Sequence, residues 1–143
     1  MSYTSGYEVR VTIGRSSVVI NGKTSTMDAA PYIQTSSSST LVPLRFVALA
    51  ILGGSVSNAD TSDIVSWDSD TRTATIYAGD DVIKFTADSN YMTINGVTSA
   101  MSNGVKAEIK DDRMYIPFRA LGEALGAEVD WESDTKTAVY TIE

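Results

Sequence analysis

The chain has 143 residues, with 11 Lys and Arg against 18 Asp and Glu for a formal net charge of −7, and it contains no histidine and no cysteine. Those two absences exclude Ser-His-Asp and Cys-His catalysis, imidazole metal sites, thiolate nucleophiles, disulfides and iron–sulfur clusters. The acidic surplus argues against a nucleic-acid partner, which needs clustered Lys and Arg, and no apolar run approaches the ~20 residues that span a bilayer.

Met1 precedes Ser2-Tyr3-Thr4-Ser5-Gly6, which has neither the charged start nor the apolar stretch of a signal peptide. Residues 1–6 read as a tail. The chain then reads either as cytosolic or as a segment of a secreted protein, since freedom from cysteine suits both compartments. Val9, Val11 and Ile13 alternate with Arg10 and Thr12, the period-2 pattern of a half-buried strand. Ser17 to Ile20 runs into Asn21-Gly22, a strong hairpin signal. The Ser36–Ser39 run reads as a flexible turn, with O-glycosylation as the alternative. Leu41-Val42 is a strand stopped by Pro43, where a helix begins because the missing N–H is harmless in a first turn. After Leu52-Gly53-Gly54, Trp67 opens a turn through Asp68-Ser69-Asp70-Thr71-Arg72, and Thr73 to Tyr77 forms a closing strand.

The tight turn Ala78-Gly79-Asp80-Asp81 leads directly into a second version of the same pattern. Glu8 to Thr12 answers Val82 to Thr86, Val18 to Ser25 answers Met92 to Ser99, and Pro43 and Arg45 answer Pro117 and Arg119, all at an offset of 74 residues. Trp67 to Ala74 answers Trp131 to Ala138 in a shorter register, because the first copy carries extra residues around Ser57 to Ile64. In the second copy the helix runs from Arg119 to Leu125 and stops at Gly126, with Leu121 and Leu125 on one face. The expected fold is α+β: two tandem pseudo-repeats, residues 7–79 and 80–143, each a small antiparallel sheet packed on one short helix. The tight turn between them predicts a rigid junction.

Val42-Pro43-Leu44-Arg45-Phe46-Val47-Ala48, Leu52-Gly53-Gly54 and Trp67-Asp68-Ser69-Asp70-Thr71-Arg72-Thr73 resemble the copper amine oxidase N-terminal domain-like family. Ile116 to Gly126 resembles the same motif in fuller form. The resemblance implies a small α+β stalk module of secreted and surface-anchored proteins of Gram-positive bacteria. It takes its name from a dispensable domain lying away from the enzymes' active site. Their catalytic domains use three histidine copper ligands and a tyrosine-derived quinone, and a chain without histidine cannot supply the ligands. Three features depart from the family pattern: Glu123 has no equivalent in the first repeat, Ser57–Ile64 is inserted, and Gln34 to Thr40 replaces the usual Gly-Arg-Thr turn.

Arg45 and Arg119 stand at helix N-termini, where the dipole disfavours them. Each could bind a carboxylated sugar or peptide terminus, or fix a local carboxylate or carbonyl, with Glu123 in i,i+4 reach of Arg119. Their recurrence beside the same proline favours the local role. Trp67 and Trp131 could stack on sugars, but their alternation with Val65 and Val129 predicts a core role. Tyr77, Tyr91, Tyr115 and Tyr140 are strand aromatics open to either reading. Asp68-Ser69-Asp70 and Glu132-Ser133-Asp134, with Asp60 and Asp63, read as turn acids, since calcium needs about six to eight oxygens and a glycine-punctuated loop. A carboxylate pair of the glycosidase kind would need two acids facing across a cleft.

No catalytic, cofactor or metal residue is assigned, and no binding residue is fixed. Ser57–Ile64 and the serine loop are the first places to look for binding, because they break the repeat. The expected function is a non-catalytic, secreted or cell-surface module acting as stalk, spacer or adhesion unit. The alternative is a carbohydrate- or cell-wall-binding module using exposed aromatics. The expected partners are cell-wall polysaccharide or another surface protein, with no nucleic acid and no membrane span in this segment.

Overall fold

The computed structural model describes residues 7–27, 29–34, 39–53, 64–101, 105–110 and 113–142. The tail at 1–6, the serine-loop residues 35–38 and residues 54–63, with Asp60 and Asp63, lie outside the described residues.

Strand β1 (Tyr7–Thr12) is the alternating segment, with Val9 and Val11 buried while Arg10 faces outward. Strand β2 (Ser17–Ile20) turns at Asn21-Gly22 into β3 (Lys23–Thr26). Asn21 and Gly22 take φ of 51° and 81°, the paired left-handed conformation that matches a two-residue turn to the twist of its strands. The Asn21 side chain fixes this turn against β1, its Oδ1 accepting from the Glu8 N–H at 3.1 Å. Strands β4 (Tyr32–Gln34) and β5 (Ser39–Pro43) lead into α1 (Leu44–Gly53), then β6 (Val65–Asp68) and β7 (Thr73–Ala78).

The order then recurs as β8 (Asp81–Thr86), β9 (Tyr91–Ile94), β10 (Val97–Ala100), β11 (Glu108–Lys110), β12 (Arg113–Pro117), α2 (Phe118–Ala124), β13 (Glu128–Glu132) and β14 (Thr137–Ile142). Both helices start on the residue after a proline, as expected. Helix α2 closes through Gly126, whose N–H donates to the Glu123 carbonyl at 3.1 Å. The fold is mostly antiparallel sheet with two short helices, an α+β arrangement.

The described strands form three sheets, and their membership departs from one sheet per repeat. The first has the order β13-β14-β1-β2-β3 and the second β10-β9-β8-β7-β6. Each combines three strands from one half of the chain with the Trp-bearing hairpin of the other half. Strand β7 pairs with β8 from Thr73↔Thr86 to Ala78↔Asp81, across the tight turn. Strand β14 pairs with β1 in the same register, from Thr137↔Thr12 to Ile142↔Tyr7, with no local turn between them. Threonine hydroxyls mark the match, Thr73 to Thr86 and Thr12 to Thr137, both at 2.9 Å. Period-2 alternation specifies which face of a strand is buried but not which strand lies beside it. For that reason the exchange is invisible in the local sequence.

The third sheet, β11-β12-β5-β4, lies between the two halves. At its centre Val42 pairs with Ile116, its own counterpart at the repeat offset, flanked by Leu41↔Pro117 and Pro43↔Tyr115. Helix α1 packs on β5, β12 and β6, and α2 on β5, β12 and β13. One core therefore runs through the molecule, joining Val9, Val47, Phe85, Ile116, Leu121 and Tyr140. Helix α1 is apolar on nearly every side because it crosses this interior, with Val47, Ala48, Leu49, Ala50 and Ile51 all buried. A second, smaller cluster joins Ala29, Leu41, Val105 and Tyr115. Among the described residues no helix is long and apolar enough to cross a membrane.

Candidate functional site

Each proline bends the chain from the central sheet into a helix beside a Trp-bearing hairpin, and each bend leaves a cleft. The first, of about 670 Å³, is lined by Arg45, Phe46, Trp67, Ile109, Arg113 and Met114 among others. The second, of about 480 Å³, lies at the equivalent place and includes Met92, Phe118, Arg119, Glu123 and Trp131. Equivalent positions thus build two clefts of different chemistry. The described lining of the first contains two arginines and no acid, whereas that of the second contains one of each sign.

The tryptophans divide accordingly. Trp131 is half-buried and packs on Phe118 with ring centroids 5.7 Å apart. Trp67 is 48% exposed, so the core role expected for it does not hold. The physical reason lies one helix away. Phe118 has Leu44 as its counterpart, which is buried and offers no ring to pack on the indole. Sharing a face with Val65 is not enough to cover so large a side chain there.

Arg119 also departs from expectation. Its guanidinium carbon stands 5.5 Å from the Phe118 ring centroid, a cation–π arrangement, and among the described residues it forms no ion pair with Glu123. Arg45 is exposed at the rim of the first cleft, across which Arg113 on β12 also faces. Arg113 gives no signal in the sequence, because only the pairing of β5 with β12 brings it there.

Asp68 serves its turn: its Oδ1 accepts from the N–H of Asp70 at 2.9 Å and of Thr71 at 3.3 Å. Glu132 accepts from the Thr135 hydroxyl at 3.4 Å and pairs with Arg10, which also holds Glu8 at 3.0 Å. Arg10 thus ties β1 to the exchanged hairpin from outside. Among the described residues no group of three or more acids is placed to hold a metal ion.

The tyrosines separate by depth. Tyr77 and Tyr91 are exposed, while Tyr115 and Tyr140 are buried. The Tyr140 hydroxyl donates to the Phe118 carbonyl at 2.9 Å, and burial pushes its pKa well above the ordinary value. A polar cluster not foreseen from the sequence joins the outer strands of the central sheet. The Tyr32 hydroxyl and the Gln34 amide both donate to the Glu108 carboxylate at 2.6 Å, and the Lys110 ammonium lies 4.2 Å from the Tyr32 ring centroid. Desolvation, then the bond to Glu108, raises the Tyr32 pKa far above its usual value. These groups satisfy one another, and the cluster reads as a polar clasp.

A family model described as the copper amine oxidase N-terminal domain matches the chain twice, over residues 2–66 and 58–140. No curated protein and no solved structure matches it.

Proposed function

The chain belongs to the copper amine oxidase N-terminal domain family, a non-catalytic module of those enzymes, and from that premise we propose a structural, non-catalytic role in a secreted or surface-attached protein. The copper of the family name finds no fitting donors here. The chain has no histidine or cysteine, so the imidazole and thiolate ligands that favour copper are missing from its composition. We take residues 7–79 and 80–143 as two tandem pseudo-repeats acting as one rigid spacer. The observation that supports this is the exchange of hairpins, which gives each outer sheet strands from both repeats and leaves one shared core. A unit so interlocked presents its loops at a fixed orientation. Binding of the purified chain to a glycan array and to cell-wall preparations tests it: no binding to either is expected of a pure spacer.

The second reading, a carbohydrate-binding module, has a specific observation in its favour. Trp67 offers a large exposed aromatic face in a cleft that also holds Arg45 and Arg113. A pyranose ring could stack on the indole. Titration of acidic and neutral oligosaccharides, followed by tryptophan fluorescence, separates the readings. On the binding reading, Trp67→Ala removes the response at least tenfold, while Trp131→Ala keeps it. A flat titration with every sugar leaves the spacer.

A further inference from the structure

The second sheet turns one face to the core through Ala74, Ile76, Ile83 and Phe85, and its pleat sends the alternate residues to the other face. On that outer face Tyr77 of β7 lies opposite Val82 of β8, and Lys84 of β8 lies opposite Thr93 of β9. Tyr77 and Lys84 are therefore diagonal neighbours, and so are Lys84 and Tyr91. The three stand in one line across three strands. At roughly 7–8 Å for each diagonal step, the two tyrosines are about 15 Å apart with Lys84 between them. Tyr77 is 42% and Tyr91 54% exposed, and Lys84 is exposed as well. Among the described residues Lys84 forms no ion pair and lies over neither ring.

The first sheet supplies a control within the molecule. Its β14·β1 ladder has the register of β7·β8, which puts Thr141 where Tyr77 stands and Arg10 where Lys84 stands. Ser17 takes the place of Tyr91 at the repeat offset. Strand propensity favours tyrosine on any such strand, yet the same ladder forms there without either ring. Arg10, moreover, is held by Glu8 and Glu132. The fold thus has no need of the line made by Tyr77, Lys84 and Tyr91.

We propose that this line binds an extended, neutral polysaccharide at a site separate from the Trp67 cleft. Each phenol offers an apolar face to a pyranose ring and a hydroxyl to its edge. Midway, the Lys84 ammonium donates to sugar hydroxyls, flanked on its own row by Thr75 and Thr93. The span fits a run of linked rings and not a single sugar. The net charge of −7 disfavours a polyanion. The inference rests on the carbohydrate-binding reading and gives it a second surface.

Electrophoresis in native gels tests it, because the acidic chain migrates toward the anode. Separate gels carry hydroxyethylcellulose, xylan, galactomannan or polygalacturonate. Retardation by at least one neutral polymer is expected, and none by polygalacturonate. Tyr77→Ala and Tyr91→Ala, in variants that still unfold cooperatively in urea, are each expected to weaken it about fivefold. Lys84→Met weakens it too, whereas Lys84→Gln, which still donates, keeps most of it. Ser17→Ala on the first sheet leaves it unchanged. A hexasaccharide of the retarding polymer competes, and its disaccharide does not. Retardation lost with Trp67→Ala and kept by both tyrosine variants overturns this site and leaves the cleft. No retardation by any polymer overturns the site and the carbohydrate reading together. Retardation by polygalacturonate alone overturns the neutral ligand.

Discussion

Tyr140 shows how much one side chain on the exchanged hairpin carries. Its ring is fully buried, edge-on to Phe118 at 6.4 Å, and occupies space that Gly122 leaves open. A Cβ at Gly122 would collide with Val129 and come within 2.7 Å of the Tyr140 ring. The phenol stays neutral in the fold because burial disfavours its anion. The unfolded chain loses that proton near pH 10 while the native state keeps it, so stability is whole below about pH 10 and falls as pH rises past it. Tyr140→Phe is expected to lose about 1 kcal/mol at pH 7 with the Phe118 hydrogen bond. It should also show a shallower alkaline decline, measured as urea midpoints between pH 7 and 11. Tyr32, raised in the same sense, keeps part of that decline in the variant. The sequence marks Tyr140 as a strand aromatic and no more. What distinguishes it from exposed Tyr77 is the face of the strand: Tyr140 stands where buried Ile76 does in the other ladder, whereas Tyr77 stands where Thr141 does. Trp67 and Trp131 part company for a reason that alternation does not carry, since neither tryptophan's own segment encodes Leu44 or Phe118.

Short elements with local causes were legible. The two Asn-Gly turns appear where the dipeptides stand, with Asn95 and Gly96 at φ of 51° and 84°, close to the values at Asn21 and Gly22. Asn95 Oδ1 accepts from the Val82 N–H at 2.8 Å, repeating the bond from Asn21 to Glu8. Gly22→Ala and Gly96→Ala are each expected to cost about 1 kcal/mol through strain at positive φ. The two losses should be nearly equal, and their urea midpoints compare them. The elements hidden from the sequence are the edge strands. Lys23–Thr26 has no apolar alternation, and Val97–Ala100 is exposed at every position, because each lies at the end of its sheet. Strands of three residues, such as Tyr32–Gln34 and Glu108–Lys110, are too short to display a period at all.

At the scale of the whole molecule, the shared core predicts one cooperative transition. Leu121 is fully buried in a cluster that reaches both outer sheets. Leu121→Ala is expected to lose about 2–5 kcal/mol, with the same shift seen by Trp131 in one sheet and by Trp67 in the other. Variants keeping a single tryptophan report each sheet separately, and two different midpoints would contradict the shared core. The recurring motifs were plain in the sequence, as was the class of fold. The partner of each strand was not, because β7 and β14 have the same pattern and either could lie against either three-stranded unit. The pairing of Tyr7 with Ile142 carries one more consequence. Those residues stand together at one end of the β1·β14 ladder, so tension applied through them would act across the strands and load a single pair at a time. The ladder would peel open from that end under modest force, where a sheared ladder would resist with all its pairs together. A protein anchored in this way bears a pull poorly.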